Sequence, residues 1–312
     1  MPLIQIILYF SVAILVIGTA LRALKISEMP VHLRWDLYPI PHEKGKEHYG
    51  GSYYEETDWW TKPRNVSVVS EIREMGREIL AIQSLYRNNR GMWYFSFPLH
   101  IGLYFLTALA GLSFVGAICQ ERGALIVAQS GNLTGQVIFF SSLIIGGAGL
   151  ILGAFGALGL LLSRIFRGEL RRYSTRSDYF NLLLLLALFS SGIFAWLTVD
   201  KYFSALCGFI QQFMIFKPAR NIPSPIAVQL YLTAIFFAYL PFTHMTHFVG
   251  KYFTYHKVRW QDEPNQKGSE TEKAIIESLG NIQDWSAPHI KTGKTWAVAA
   301  TETENDSKKG SK

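Results

Sequence analysis

Polar and apolar positions segregate along this chain over tens of residues. No Asp, Glu, Lys or Arg stands between Met1 and Leu21, Gly91 and Gln120, Gly123 and Ser163, Tyr179 and Val199, or Asn221 and Gly250. A charge-free apolar run of about 18 or more residues crosses a hydrocarbon core of about 30 Å as one helix. The five runs predict five transmembrane helices, over 3–23, 94–118, 135–163, 180–199 and 226–249. The expected fold class is all-α, an integral membrane protein. Its five-transmembrane-helix bundle carries a long cytoplasmic loop and an extended C-terminal tail. The expected divisions are 1–24 for the first helix, 25–92 for the loop, 93–258 for helices two to five, and 259–312 for the tail.

The polar segments have patterns of their own. "PVHLRWDLYPIPHEKGKEHYGGSYYEETDWWTKPR" holds four prolines, paired glycines and many aromatics, which predicts an ordered irregular loop. "VSEIREMGREILAIQSLYRN" follows, with Ile72, Met75, Ile79 and Ile82 at helical spacing. That predicts an amphipathic helix, lying along the cytoplasmic membrane face or packed as a small helix on the loop. In the third apolar run, Gly149, Gly153, Gly156 and Gly159 make a small-residue face. Such a face admits a neighbouring helix backbone, or a flat cofactor. In the tail, "TEKAIIESLGNI" predicts one short helix. Trp285 and Trp296 read either as anchors for a partner surface or as part of a largely disordered tail. The last residues, "TENDSKKGSK", are expected to be disordered.

Composition agrees with a membrane chain: 49% of residues are hydrophobic and 17% charged, against about 25% charged in soluble domains. The net charge of +7 comes from 30 Lys and Arg whose placement alternates. Eleven lie from Arg22 to Arg90, one (Arg122) in the second connection, five from Arg164 to Arg176, three in the fourth connection and ten from Lys251 onward. The positive-inside rule then places the N-terminus outside and the C-terminus in the cytoplasm. The basic charge needs no nucleic acid. The first run has no basic residue before it and is followed by Arg22 and Lys25, which favours a retained helix over a signal peptide. Cys119 and Cys207 flank helices on the expected outer side, and a disulfide between them stays open. Two cysteines do not make an iron–sulfur site of four thiolates, so any cluster belongs to a partner.

Of eight histidines, His32, His42, His48, His256 and His289 read as loop and tail residues. His100, His244 and His247 lie in or at the apolar runs. An ionisable group there is costly and marks function. His100 stands roughly 10 Å into the second helix at about 1.5 Å per residue. His247 lies near the same membrane face on the fifth. Two imidazoles from two helices can be the axial ligands of a b-type haem, and Gly102 in "LHIGLYF" removes bulk beside His100. A zinc site from His100, His244 and His247 has no Cys support. A proton relay lacks an intramembrane carboxylate, and no internal repeat suggests a transporter.

"FPLHIGLYFLTALAG" and "YLPFTHMTHF" resemble the second and fifth helices of the cytochrome b (gamma) subunits of respiratory nitrate reductases. That family's four haem-ligating histidines stand in two pairs, one haem near each membrane face. Here His100 and His247 match the pair that holds the cytoplasm-proximal haem. The positions of the distal pair are Ala110, ten after His100, and Gln229, eighteen before His247. The resemblance implies one haem b, ligated by His100 and His247. His244 falls where the family often has Arg, and is expected to serve a propionate or a hydrogen bond. "LYPIPHEKGKEHYGGSYYEETDWW" and "WSAPHIKTGKTWAVAATE" look like the branch paired with heterodisulfide-reductase-like iron–sulfur proteins. Relatives there include membrane subunits of transmembrane cytochrome c and dissimilatory sulfur-reduction complexes.

The expected function is quinone-reactive electron transfer within an oxidoreductase complex of the prokaryotic inner membrane. Electrons pass between a quinone, menaquinone or similar, and a cytoplasmic [4Fe–4S] partner; a periplasmic multihaem cytochrome c is a further expected partner, besides membrane lipid. His244, Gln229 or a first-loop residue is expected to supply the polar group of the quinone site. A haem-free anchor tethering a redox partner is the alternative.

Overall fold

The computed structural model describes residues 2–29, 43–45, 56–58, 61–63, 65–259, 266–287 and 290–302. Most of the irregular loop, His32, His42, His48, His289 and the last ten residues lie outside them. Among the described residues there are helices and isolated bridges but no strand. Five helices are long and apolar enough to cross a membrane: α1 (Leu3–Ser27), α4 (Arg90–Glu121), α5 (Leu133–Phe166), α7 (Arg176–Thr198) and α9 (Ser224–Tyr239) with its continuation to Phe242. The chain divides into two units, residues 1–19 with 75–245 and residues 20–74 with 246–312.

In the first unit α5 is the central element. α4 packs along it, α7 packs beside it, and α9 lies on α7. Glycine sets the α4–α5 distance. A Cβ added to Gly102 would lie 2.5 Å from the Gly153 nitrogen, and one on Gly156 would lie 2.5 Å from the Leu99 nitrogen. One on Gly153 would fall 2.1 Å from the Phe189 ring of α7, whose side chain is fully buried. The small face of α5 therefore receives helices and their side chains. Leu99, Leu109, Leu150, Ala157, Leu161 and Leu185 complete this core.

A second core joins α1 to α9 and to α8 (Ser204–Met214), through Ile4, Leu8, Phe209, Ile226 and Leu230. Gln5, a polar residue in an apolar helix, is fully buried there. Its amide donates to the Lys217 carbonyl at 2.9 Å and accepts from the Ala219 N–H at 3.0 Å. The Tyr9 ring stacks on Phe213 beside it. Asp200 starts α8 by accepting from the Ala205 and Leu206 N–H groups, at 3.0 and 2.9 Å. Both cysteines are free thiols. The Cys207 thiol donates to the Ser113 carbonyl and the Gln120 side chain, each at 3.7 Å, and burial, with Asp200 nearby, pushes its pKa up.

The fifth span does not run as one helix to 249. α9 ends at Tyr239, 3-10 turns occupy Leu240–Phe242 and His244–Thr246, and a new helix, α10 (His247–Phe253), starts at His247. Pro241 is the cause: it has no N–H to donate and its ring clashes with the carbonyl four residues back. Gly18 of α1 makes room for it, since a Cβ there would come within 2.7 Å of the Pro241 Cβ. The amphipathic segment also breaks in two, α2 (Val68–Ala81) and α3 (Gln83–Asn88). Ile82 between them takes a left-handed φ of 49°. The Glu78 carboxylate holds this turn by accepting from the Ser84 N–H and hydroxyl, both at 2.8 Å. A basic turn, α6 (Gly168–Arg172), leads from α5 toward α7.

In the second unit, α10 passes into a π-helical turn over Thr254–Arg259. His256 meets Glu71 at 3.2 Å and lies against the Tyr252 ring. The described tail is ordered rather than shapeless. α11 (Glu270–Leu279) is capped by Ser269, and α12 (Trp296–Thr301) by Thr295. Between them, the Gln283 N–H donates to the Lys294 carbonyl at 2.8 Å, and the Trp285 and Trp296 rings meet edge-on at 6.0 Å.

Candidate haem and quinone site residues

His100 sits on α4, one turn past Ser96 and half-buried. Its Nδ1 lies 2.7 Å from the Ser96 carbonyl. A carbonyl only accepts, so Nδ1–H is the donor of this bond. That is the orientation a metal-ligating imidazole requires, with the second nitrogen fixed by a carbonyl. The Tyr104 ring stands edge-on to the imidazole, 6.5 Å away.

His247 is the first residue of α10 and is exposed. The Pro241 break gives it a helix of its own, four residues past an extended Thr243 whose hydroxyl accepts from the Met245 N–H at 3.1 Å. His100 belongs to the first unit and His247 to the second.

His244 has a different partner. Its Nε2 lies 3.4 Å from Asp178 near the start of α7. The same carboxylate closes the capping box with Thr175 and lies 4.0 Å from Arg164 of α5. Arg164 donates to the Ser174 hydroxyl at 2.8 Å. Three residues past Asp178, Asn181 is buried with both amide atoms unpartnered among the described residues. A buried orphan amide marks a place where a polar group or ordered water is bound.

Gln229 of α9 is half-buried and accepts a hydrogen bond from the Ser191 hydroxyl of α7. Gly192 beside it leaves room for the Gln229 side chain. Ala110, the other position matching the distal ligand pair, is exposed on α4. The structure thus brings His244 to Asp178 and Gln229 to Ser191. Ser96, Asp178, Asn181 and Ser191 had no signal in the sequence: Ser96, Asp178 and Ser191 each act on a partner through a contact made in the fold, Asn181 stands out only by its burial, and serine and asparagine occur too widely to be singled out.

Among the described residues no three His, Cys, Asp or Glu side chains cluster as a metal ion would need. The donor set instead fits haem iron, which takes imidazole nitrogens singly from separate helices. The imidazole of His100, held at Nδ1 by a backbone carbonyl, is the feature of this structure that suits such a group.

Residues 81–262, more than half of the chain, match the family model described as nitrate reductase gamma subunit. The match contains α4, α5, α7 and α9, and both His100 and His247. No curated protein matches the chain.

Proposed function

We propose a function from one premise: the chain belongs to the nitrate reductase gamma subunit family, haem b membrane subunits of respiratory complexes. Its specific role is to carry electrons between a membrane quinone, menaquinone or similar, and a cytoplasmic heterodisulfide-reductase-like [4Fe–4S] subunit. One haem b serves the chain, with His100 and His247 as axial ligands. The observation that carries this reading is the pairing of what is kept and what is lost. Histidine stands at both positions of one ligand pair, and Ala110 and Gln229 at both positions of the other.

The haem, when bound, supplies one-electron redox chemistry. The chain supplies the rest. α4 holds the His100 ring by its Nδ1 through the Ser96 carbonyl. The apolar walls of α4 and α5 exclude water. His244, paired with Asp178, offers a polar group three residues before His247, and Gln229 with Ser191 offers another on α9. One of these groups meets the quinone, which exchanges protons as well as electrons. The alternation of basic connections supports an N-terminus outside and a cytoplasmic C-terminus in a prokaryotic inner membrane.

Pyridine haemochrome analysis of the purified subunit is expected to give about one haem b per chain, as one pair of axial imidazoles requires. His100→Ala and His247→Ala are each expected to abolish the low-spin haem signal, and His244→Ala to keep it. Two haems per chain would overturn the ligand count. A colourless preparation that still binds the iron–sulfur partner would make the protein a haem-free anchor.

A further inference from the structure

We propose that α2 is an in-plane membrane helix, with its acidic face against the protein and its apolar face in lipid. A helix on the surface of a soluble protein does the reverse. Val69, Ile72 and Leu80 are 78%, 66% and 61% exposed, while Glu78 is 6% exposed. At about 100° per residue, Val68, Val69, Ile72, Gly76, Ile79 and Leu80 fall within one arc of about 120°. Glu71, Glu74 and Glu78 occupy the other side. Two of these acids have partners in the protein: Glu78 holds Ser84, and Glu71 meets His256. Among the described residues no side chain is recorded against the outward arc, and a Cβ on Gly76 would meet nothing within 4 Å.

The end of the helix identifies what covers that arc. The last four carbonyls of a helix lack partners within it. In water the solvent satisfies them; in hydrocarbon the protein must. Here the Ile79 carbonyl accepts from the Tyr104 hydroxyl at 2.9 Å, and the Ala81 carbonyl from the Trp93 indole at 2.8 Å. The Glu78 carbonyl accepts from the Ile82 N–H at 3.1 Å. Both side-chain donors stand on α4, a membrane-crossing helix. Trp93 and the exposed Tyr94 sit where the aromatic belt of a span belongs. Tyr104 lies about three turns further in, and its side chain leans back toward the start of its helix. Its hydroxyl therefore lies about 10 Å along α4 from Trp93, within reach of the 5–10 Å depth at which interfacial helices sit. Arg73 and Arg77, both exposed, flank the arc and reach the headgroups.

The inference stands apart from the haem reading and is tested without it. In a Cys119→Ser, Cys207→Ser background, single cysteines replace Val69, Ile72 and, as a reference in water, Glu270. Each is spin-labelled and the protein placed in nanodiscs of phosphatidylethanolamine and phosphatidylglycerol. Accessibility to oxygen, which enters lipid, is compared with accessibility to a water-borne nickel chelate. Labels at 69 and 72 are expected to show an oxygen-to-nickel ratio several-fold above that at 270. Nickel accessibility equal to that at 270 would put the face in water. Low accessibility to both reagents would put it under protein, either another segment of this chain or a partner. Either result overturns the proposal. Gly76→Cys, on the same open arc, repeats the measurement if the apolar positions do not tolerate a label.

Discussion

Single atoms decide how α4 and α5 meet. The Gly102 and Gly153 backbones touch where any side chain would intervene, and Phe189 fills the space a Gly153 side chain would need. Gly153→Leu is therefore expected to destabilise the bundle by about 1–3 kcal/mol or more, the cost of overpacking a close-packed interior. Gly111 lies on the same helix as Gly102, yet a Cβ there meets nothing within 4 Å. Gly111→Ala is expected to melt at the wild-type temperature in detergent, and Gly153→Leu several degrees lower. Equal melting of the two would mean that this contact is not close in solution. The same scale separates the two histidines of "FTHMTHF". His244 is tied to Asp178, a long-range partner, whereas His247 opens a new helix.

Elements were legible in the sequence where lipid imposes a rule and obscure where a single contact breaks it. The five spans follow from charge-free runs, because hydrocarbon cannot solvate a charge. The glycine face of α5 was legible as a packing face, though not which helices it receives. The break at Pro241 was not read, because the apolar run continues through it to Val249. Proline in a membrane helix can kink or end it, and only the neighbour decides. Here the neighbour is Gly18. Gly18→Leu is expected to push the Pro241 turn away at a cost of about 1–3 kcal/mol. Because His244 and His247 follow that turn, haem b per chain in the purified variant is expected to fall below wild type. A variant with normal haem content and an unchanged low-spin spectrum would show that the turn does not set the ligand. Ile82 posed a similar problem, since nothing in "ILAIQSL" announces a left-handed residue; the carboxylate of Glu78 makes the turn.

For the whole molecule, the division into two units separates the membrane bundle from the segments expected to meet a partner. The described tail has caps, a bridge between Ile282 and Thr295, and a Trp285–Trp296 pair whose rings remain partly exposed. A rigid aromatic pair at a surface is a frequent centre of binding energy. Ending the chain after Arg259 is expected to leave the b-type spectrum intact and to abolish co-purification of the proposed iron–sulfur subunit. Trp285→Ala alone is expected to weaken that association by about 2 kcal/mol, the scale of an interface hot spot. Retained association after truncation would move the docking surface to the first loop.

The buried amide of Gln5 also fixes an order of events in time. α1 is synthesised before the backbone groups that meet its amide, at Lys217 and Ala219, which come 212 and 214 residues later. At about 5–20 residues per second, they arrive roughly 10–40 s after Gln5. Until then the partner at hand is the Tyr9 hydroxyl of the same helix, 3.2 Å from the Gln5 nitrogen, and water or the insertion machinery has to meet the rest of the amide. The bundle is latched across its length, α1 waiting for the connection between α8 and α9.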